Sequence, residues 1–199
     1  MPPTVDTTHL QDFLEAVREN CRGRHWWARV PIWFFLASVG WRQYRDPQSF
    51  NLFQPINLGI HEGGHMLFRL CGELMHGAGG TLAQLAAPII AMIVLGRQRD
   101  YFGIVFGLGW LSTNLVEVGH YMADARARQL DLVYEPGATA ETIDPNSHDW
   151  GYLFSQFGLL DHDQTIGFFT RGLGTGAMVL ALVLGGWIIV EMWRVNYKR

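Results

Sequence analysis

The feature that most constrains this chain is a set of long runs with no charged residue. From Gly172 to Val190 the sequence GLGTGAMVLALVLGGWIIV holds nineteen uncharged residues, close to the roughly 20 that a helix needs to cross a bilayer. Gly77 to Gly96, GAGGTLAQLAAPIIAMIVLG, is a second such run, and Pro88 within it is tolerable in a membrane helix. Tyr101 to Val116 is a third, continuing through Glu117 and His120. Ionisable groups at membrane depth are functional candidates by default. Val30 to Trp41 is shorter, but Trp26, Trp27, Trp33 and Trp41 bracket or line it as interfacial aromatic belts do. The core of a soluble helical protein would need polar faces that these runs lack. The expectation is therefore an all-α, polytopic integral membrane bundle, multi-pass, with four to six membrane-embedded helices.

Composition agrees with this. Charged residues make up 17% of the 199, against about 25% in a typical soluble domain. The 15 Lys plus Arg include a single Lys and face 18 Asp plus Glu, which offers no basic surface to nucleic acid. Cys21 and Cys71 are too few for a disulfide framework.

Residues 1–25 read as an amphipathic N-terminal surface helix and not as a signal peptide. Leu10, Phe13, Leu14, Val17 and Cys21 repeat as one apolar stripe, and Thr8 and Gln11 have capping-box spacing. Such a helix suits either a membrane surface or the protein's own loops. Residues 26–199 read as one membrane-embedded domain. Its extramembrane loop falls at about 129–172, where EPGATAETIDPNS precedes the aromatic stretch HDWGYLFSQFGLL. Lys and Arg counts bear on topology. If the segment around residue 61 crosses, they divide seven to seven. If it re-enters, nine lie on the N-terminal side against six on the other, counting Arg69.

The chemistry concentrates at His61-Glu62-Gly63-Gly64-His65, an HExxH pattern. Two imidazoles four residues apart fall on one helical face and can close on one metal. Glu62, about 100° round the helix from His61, is placed as a general base towards a metal-activated water and not as a ligand. The surrounding NLGIHEGGHMLF has no charge besides Glu62, and a bound cation accounts for all three ionisable groups together. Gly63 and Gly64 each weaken a helix by roughly 1 kcal/mol relative to Ala; close helix packing or backbone approach by a substrate would compensate.

These residues resemble the site-two-protease family of intramembrane zinc metalloproteases. The likeness rests on His61, Glu62 and His65 in an apolar helix and on the small-residue segment HGAGGTLAQLAAP that opens the following span, about a quarter of the chain. It implies zinc, a peptide bond cleaved in or near the membrane, and a carboxylate third ligand from a later membrane helix. The family's Asn-Pro-Asp-Gly-type sequence is absent, and Gly80-Thr81 followed by Gln84 stands where the family often has Gly-Pro and then Asn.

For the third ligand the segment TNLVEVGHYMADARAR offers a polar stripe of Asn114, Glu117, Tyr121 and Asp124. Asp124 is the first choice, since two neutral imidazoles and one carboxylate leave one net positive charge on zinc; pairing with Arg126 or Arg128 is its ordinary alternative. Glu117 and His120 stand in reserve. Asn114 could stabilise an oxyanion, or simply join helices. In His148-Asp149-Trp150, His148 could ligate with Asp149 orienting it, or Asp149 could cap the next helix. His76, read as three turns beyond His65 on the same helix, is too far for the same ion. The expected partners are membrane lipid and a membrane-protein or peptide substrate, without nucleic acid. Two rivals remain open: a non-haem iron membrane oxidase or desaturase, for which no second histidine box occurs, and a non-enzymatic metal-binding scaffold.

Overall fold

The structure, a computed structural model, describes residues 8–130 and 148–197. Among them all regular structure is helical. The acidic, Pro- and Gly-containing stretch at 135–147 lies outside the described residues, as do residues 1–7.

Helix α1 (Thr8–Cys21) precedes α2 (Val30–Arg45) and α3 (Gln54–Phe68), each of the latter two with a proline in its first turn, where the missing N–H has no helical partner anyway. A tight turn through Gly72 (φ +88°) opens α4 (Glu73–Arg97). Helix α5 (Tyr101–Ala123) starts at Asp100, whose carboxylate accepts from the Gly103 amide at 3.2 Å. Then come α6 (Asp149–Phe157) and α7 (Asp163–Tyr197). The segment drawn as a loop at 129–172 is thus partly helical: α6 lies inside it, and α7 has already begun at Asp163.

Three helices are long and apolar enough to cross a membrane: Glu73–Arg97, Tyr101–Ala123 and Leu160–Tyr197, the last including the short turn before α7. At 16 residues α2 reaches about 24 Å, short of a hydrocarbon core of about 30 Å. The outer faces of α4 and α7 expose Leu82, Ile90, Ile93, Leu173, Val179 and Val183, the surface an apolar solvent would cover.

Helices α5 and α7 form an antiparallel central pair. Gly119 and Gly167 face each other, and a Cβ at Gly119 would lie 2.8 Å from the Gly167 carbonyl, so the backbones come close. Ser112 Oγ donates to the Gly174 carbonyl at 2.7 Å. Helix α2 lies across both, with Leu36 fully buried against Gly109 and the Trp33 indole donating to the Leu182 carbonyl at 2.8 Å. At one end of the bundle α1 buries Val17 and Cys21 with Phe102, Ile188 and Met192, while Phe13 of the same stripe stays half-exposed, edge-on to Tyr101. Arg24 pairs with Asp100 (3.5 Å) and the Gly23 amide donates to Asn196 (3.0 Å) at this same end. At the other end Arg126 ties the close of α5 to Asp163 at 2.7 Å.

Helix α3 does not cross the bundle. Phe53, just before it, packs on Phe35 at a centroid distance of 5.7 Å and on Phe106 at 5.7 Å. Since Phe35 lies ten residues before Arg45, the end of α2, the chain has by then dropped back about 15 Å. From there α3 climbs to the end it came from, passing Trp110, Glu117 and Tyr121 in turn. The path is re-entrant with respect to the bundle.

Candidate metal centre

The four-residue spacing puts His61 and His65 on the face of α3 that meets α4, with ring centroids 4.8 Å apart. Helices α3 and α4 cross at Gly64 and Gly79, where a Cβ on Gly79 would lie 2.8 Å from the Gly64 carbonyl. One residue on, Gly80 supplies the floor of the site. A Cβ there would stand 2.5 Å from Nε2 of both histidines, so only glycine leaves this volume open. That assigns part of the small-residue segment a local purpose: it lets α4 pass beneath two imidazoles.

The third member comes from α6. Asp149 Oδ2 lies 3.0 Å from His61 Nε2 and 3.2 Å from His65 Nε2, and one ligand atom from each residue fits within 4.8 Å of the others. Ligand atoms of a tetrahedral zinc site with bonds of about 2.0–2.2 Å stand roughly 3.4 Å apart, so small adjustments would admit the ion.

The outer nitrogens decide what the inner ones can do. His65 Nδ1 lies 2.7 Å from the backbone carbonyl of His76, which can only accept, so Nδ1 donates. His61 Nδ1 donates to Gln84 Oε1 at 3.0 Å. A neutral imidazole with its proton on Nδ1 presents a bare lone pair at Nε2. Two lone pairs and a carboxylate oxygen facing one another repel unless positive charge lies between them. One metal ion satisfies all three, where protons would demand two adjacent imidazolium cations. Both outer hydrogen bonds are of the kind that fixes tautomer and ring orientation in metal-ligating histidines.

Asp149, and not Asp124, stands with the two histidines, which corrects the expectation. Asp124 closes the chain after α5, accepting from the amides of Gln129 (2.8 Å) and Leu130 (3.1 Å), and it faces His148 Nε2 at 3.4 Å. Of the two arginines expected beside it, Arg126 binds Asp163 instead. His148 and Asp149 have exchanged their anticipated roles. The imidazole caps α6, its Nδ1 accepting from the Gly151 amide at 3.1 Å, while Asp149 one position later turns to α3. The His148 ring lies 4.3 Å from that of Tyr121, whose hydroxyl accepts from the Asp149 amide at 3.1 Å. Burial pushes the His148 imidazole below its ordinary value, with the Asp124 carboxylate pulling the other way.

Asn114 is not brought to the cluster: its side chain donates to the Trp110 carbonyl of its own helix at 2.9 Å. His120 is also apart, with both ring nitrogens buried and without a hydrogen bond among the described residues. Glu117 does not touch the ligand atoms but sits one amide behind them, accepting from Gln84 Nε2 at 3.3 Å. Glu62 is exposed and belongs to none of these hydrogen bonds. Beside it Gly59 and Gly63 face open space, with no atom within 4 Å of a Cβ placed there; helix packing therefore accounts for Gly64 and not for Gly63. No protein-family model, curated protein or solved structure matches the chain.

Proposed function

We propose that this protein is an intramembrane zinc metallopeptidase that cleaves a peptide bond in or near the membrane, with His61, His65 and Asp149 as ligands and Glu62 as the catalytic base. The observation that carries this reading is the convergence of Nε2, Nε2 and Oδ2 on one point with both Nδ1 atoms held by acceptors. A set of three protein ligands leaves an open fourth position, as catalytic zinc sites do and closed structural sites do not. Bound zinc would polarise the scissile carbonyl and make water acidic enough to attack at neutral pH.

The chain's own residues supply the rest. Glu62, one position after His61 and exposed, takes the proton of the attacking water and returns it to the leaving amine nitrogen. The open notch at Gly59 and Gly63 lets an extended backbone lie against α3 beside that carboxylate. A helical substrate has to unwind to fit, because its carbonyls are already hydrogen-bonded. In this reading α2 and α3 are embedded along with the three long helices, five in all, and the membrane itself is a partner through the apolar outer faces of α4 and α7.

A second reading has one observation in its favour. Two histidines and one carboxylate also form the donor set of mononuclear non-haem iron enzymes. Metal analysis of detergent-purified protein separates the two. About one zinc per chain, lost with His61→Ala, His65→Ala and Asp149→Ala, is the expected result. Glu62→Gln should retain the zinc and lose cleavage of a membrane-embedded reporter peptide by about 10²- to 10⁴-fold. One iron per chain would move the assignment to oxygen chemistry, and cleavage undiminished in Glu62→Gln would remove the base.

A further inference from the structure

Behind His61 the interior holds a chain of polar side chains that the proposed chemistry does not use. Asn51 is 5% exposed and Asn57 only 1%. Trp110 Nε1 donates to Asn57 Oδ1 at 2.7 Å, and Asn57 Nδ2 donates to Glu117 Oε2 at 2.8 Å. Asn51 Nδ2 donates to Glu117 Oε1 at 3.4 Å. Gln84 Nε2 donates to Glu117 Oε2 at 3.3 Å, and Gln84 Oε1 accepts from His61 Nδ1. Three amides, from α3, α4 and the loop before α3, thus donate to a single carboxylate on α5, and none of these four residues is a proposed ligand.

The directions are forced by chemistry. An amide side chain can be turned either way, with its O and NH₂ exchanged, unless a neighbour of fixed character decides. At one end of this chain the indole can only donate, which turns the oxygen of Asn57 towards Trp110 and its NH₂ towards Glu117. At the centre the carboxylate accepts on both oxygens, which turns the NH₂ of Gln84 towards Glu117 and its oxygen towards His61. An oxygen there admits only the His61 tautomer that carries hydrogen on Nδ1. That tautomer is the one whose Nε2 is free for metal.

We infer that Glu117 is a positioning residue: through Gln84 it fixes the tautomer and orientation of His61 and so prepares Nε2 to bind the metal. His65 needs no such device, because a backbone carbonyl, that of His76, cannot be turned round. His61 relies on a reversible amide, and the buried carboxylate removes the reversibility. The inference rests on the metal site proposed above and concerns how one of its ligands is held.

Two substitutions test it. Asn57 and Gln84 donate to the same oxygen, Oε2 of Glu117, so Glu117→Met removes the acceptor and leaves the Gln84 amide free to turn. Adding Gln84→Glu puts at position 84 a side chain that can only accept, and His61 Nδ1 then has an acceptor without help from position 117. Zinc affinity, measured by competition with a chelating dye on detergent-purified protein, should fall about 10- to 100-fold in Glu117→Met and recover in the double variant. In parallel, ¹⁵N NMR of histidine-labelled, metal-free protein above pH 8 should show His61 with hydrogen on Nδ1 in the wild type and the double variant, and both tautomers in Glu117→Met. Equal zinc affinity in wild type and Glu117→Met, or weakening that the double variant does not reverse, would overturn the positioning role. Failure of the wild type itself to bind zinc would instead remove the metal site, so the two readings fall separately.

Discussion

Asp124 is buried and Asp149 half-buried, both beside His148, and what separates them is what each oxygen can still do. Asp124 already has two backbone amides on it; its oxygens stabilise a turn. Asp149 offers Oδ2 to two nitrogens that have no other partner. Asp149→Ala should therefore abolish metal retention while leaving the helical circular dichroism intact. Asp124→Ala should leave the metal and cost about 1–2 kcal/mol of stability, as the loss of a cap does; denaturant titration beside metal analysis checks both. Gly80→Ala should also lose the metal, because the added methyl occupies the space the ion needs. The histidine pair was legible because its geometry is set by four residues of local helix. The carboxylate that joins them was not, since Asp149 is brought in by a fold contact far along the chain, and His148 beside it gave the stronger signal. His76 misled for a different reason. The turn at Gly72 sends α4 back past α3, so the side chain assumed three turns away lies in a neighbouring helix and contributes its carbonyl.

A helix as short as α6, nine residues, does not hold itself together in water; its neighbours do this. Leu153 and Phe154 are buried, Tyr152 packs over Gly77, and the His148 ring lies on Tyr121. The cap requires a neutral imidazole, because Nδ1 accepts from the Gly151 amide. Burial favours that neutral form in the fold, so the folded protein binds the proton less readily than the unfolded chain. The cap's contribution is present above the unfolded value of about 6.5 and is lost as pH falls below it. With a chelator present throughout, lowering the pH from 7.5 to 5.5 should depress the melting temperature of the wild type more than that of His148→Gln, whose side-chain oxygen can accept at any pH. An equal loss in both proteins would remove His148 from the cap. At this scale the long helices are readable from uncharged runs, and α6 from the cap spacing at the start of HDWGYLFSQFGLL, although the composition before it says loop. The position of α3 was foreshadowed only by arginine counts, since hydropathy cannot tell a helix that crosses from one that turns back.

Across the whole molecule, the doubling back of α3 sets which loops share a side. The segment between α2 and α3 and the turn at Cys71 belong to one end of the bundle, and the turn between α4 and α5 to the other. In sealed vesicles a membrane-impermeant maleimide should therefore reach the exposed native Cys71 from the same side as Gln48→Cys and from the opposite side to Arg99→Cys. Labelling of Cys71 and Gln48→Cys from opposite sides would mean that α3 crosses. The contact of Asp149 with His65 has a thermodynamic meaning as well. An ion held between them ties together two points 149 − 65 = 84 residues apart and turns the intervening chain, with α4 and α5 in it, into a closed ring. A cross-link of that span removes about 4 to 5 kcal/mol of freedom from the unfolded chain by the relation that holds for disulfides. The ion would then act as a redox-independent staple, and the fraction of protein that stays assembled would rise and fall with the supply of metal.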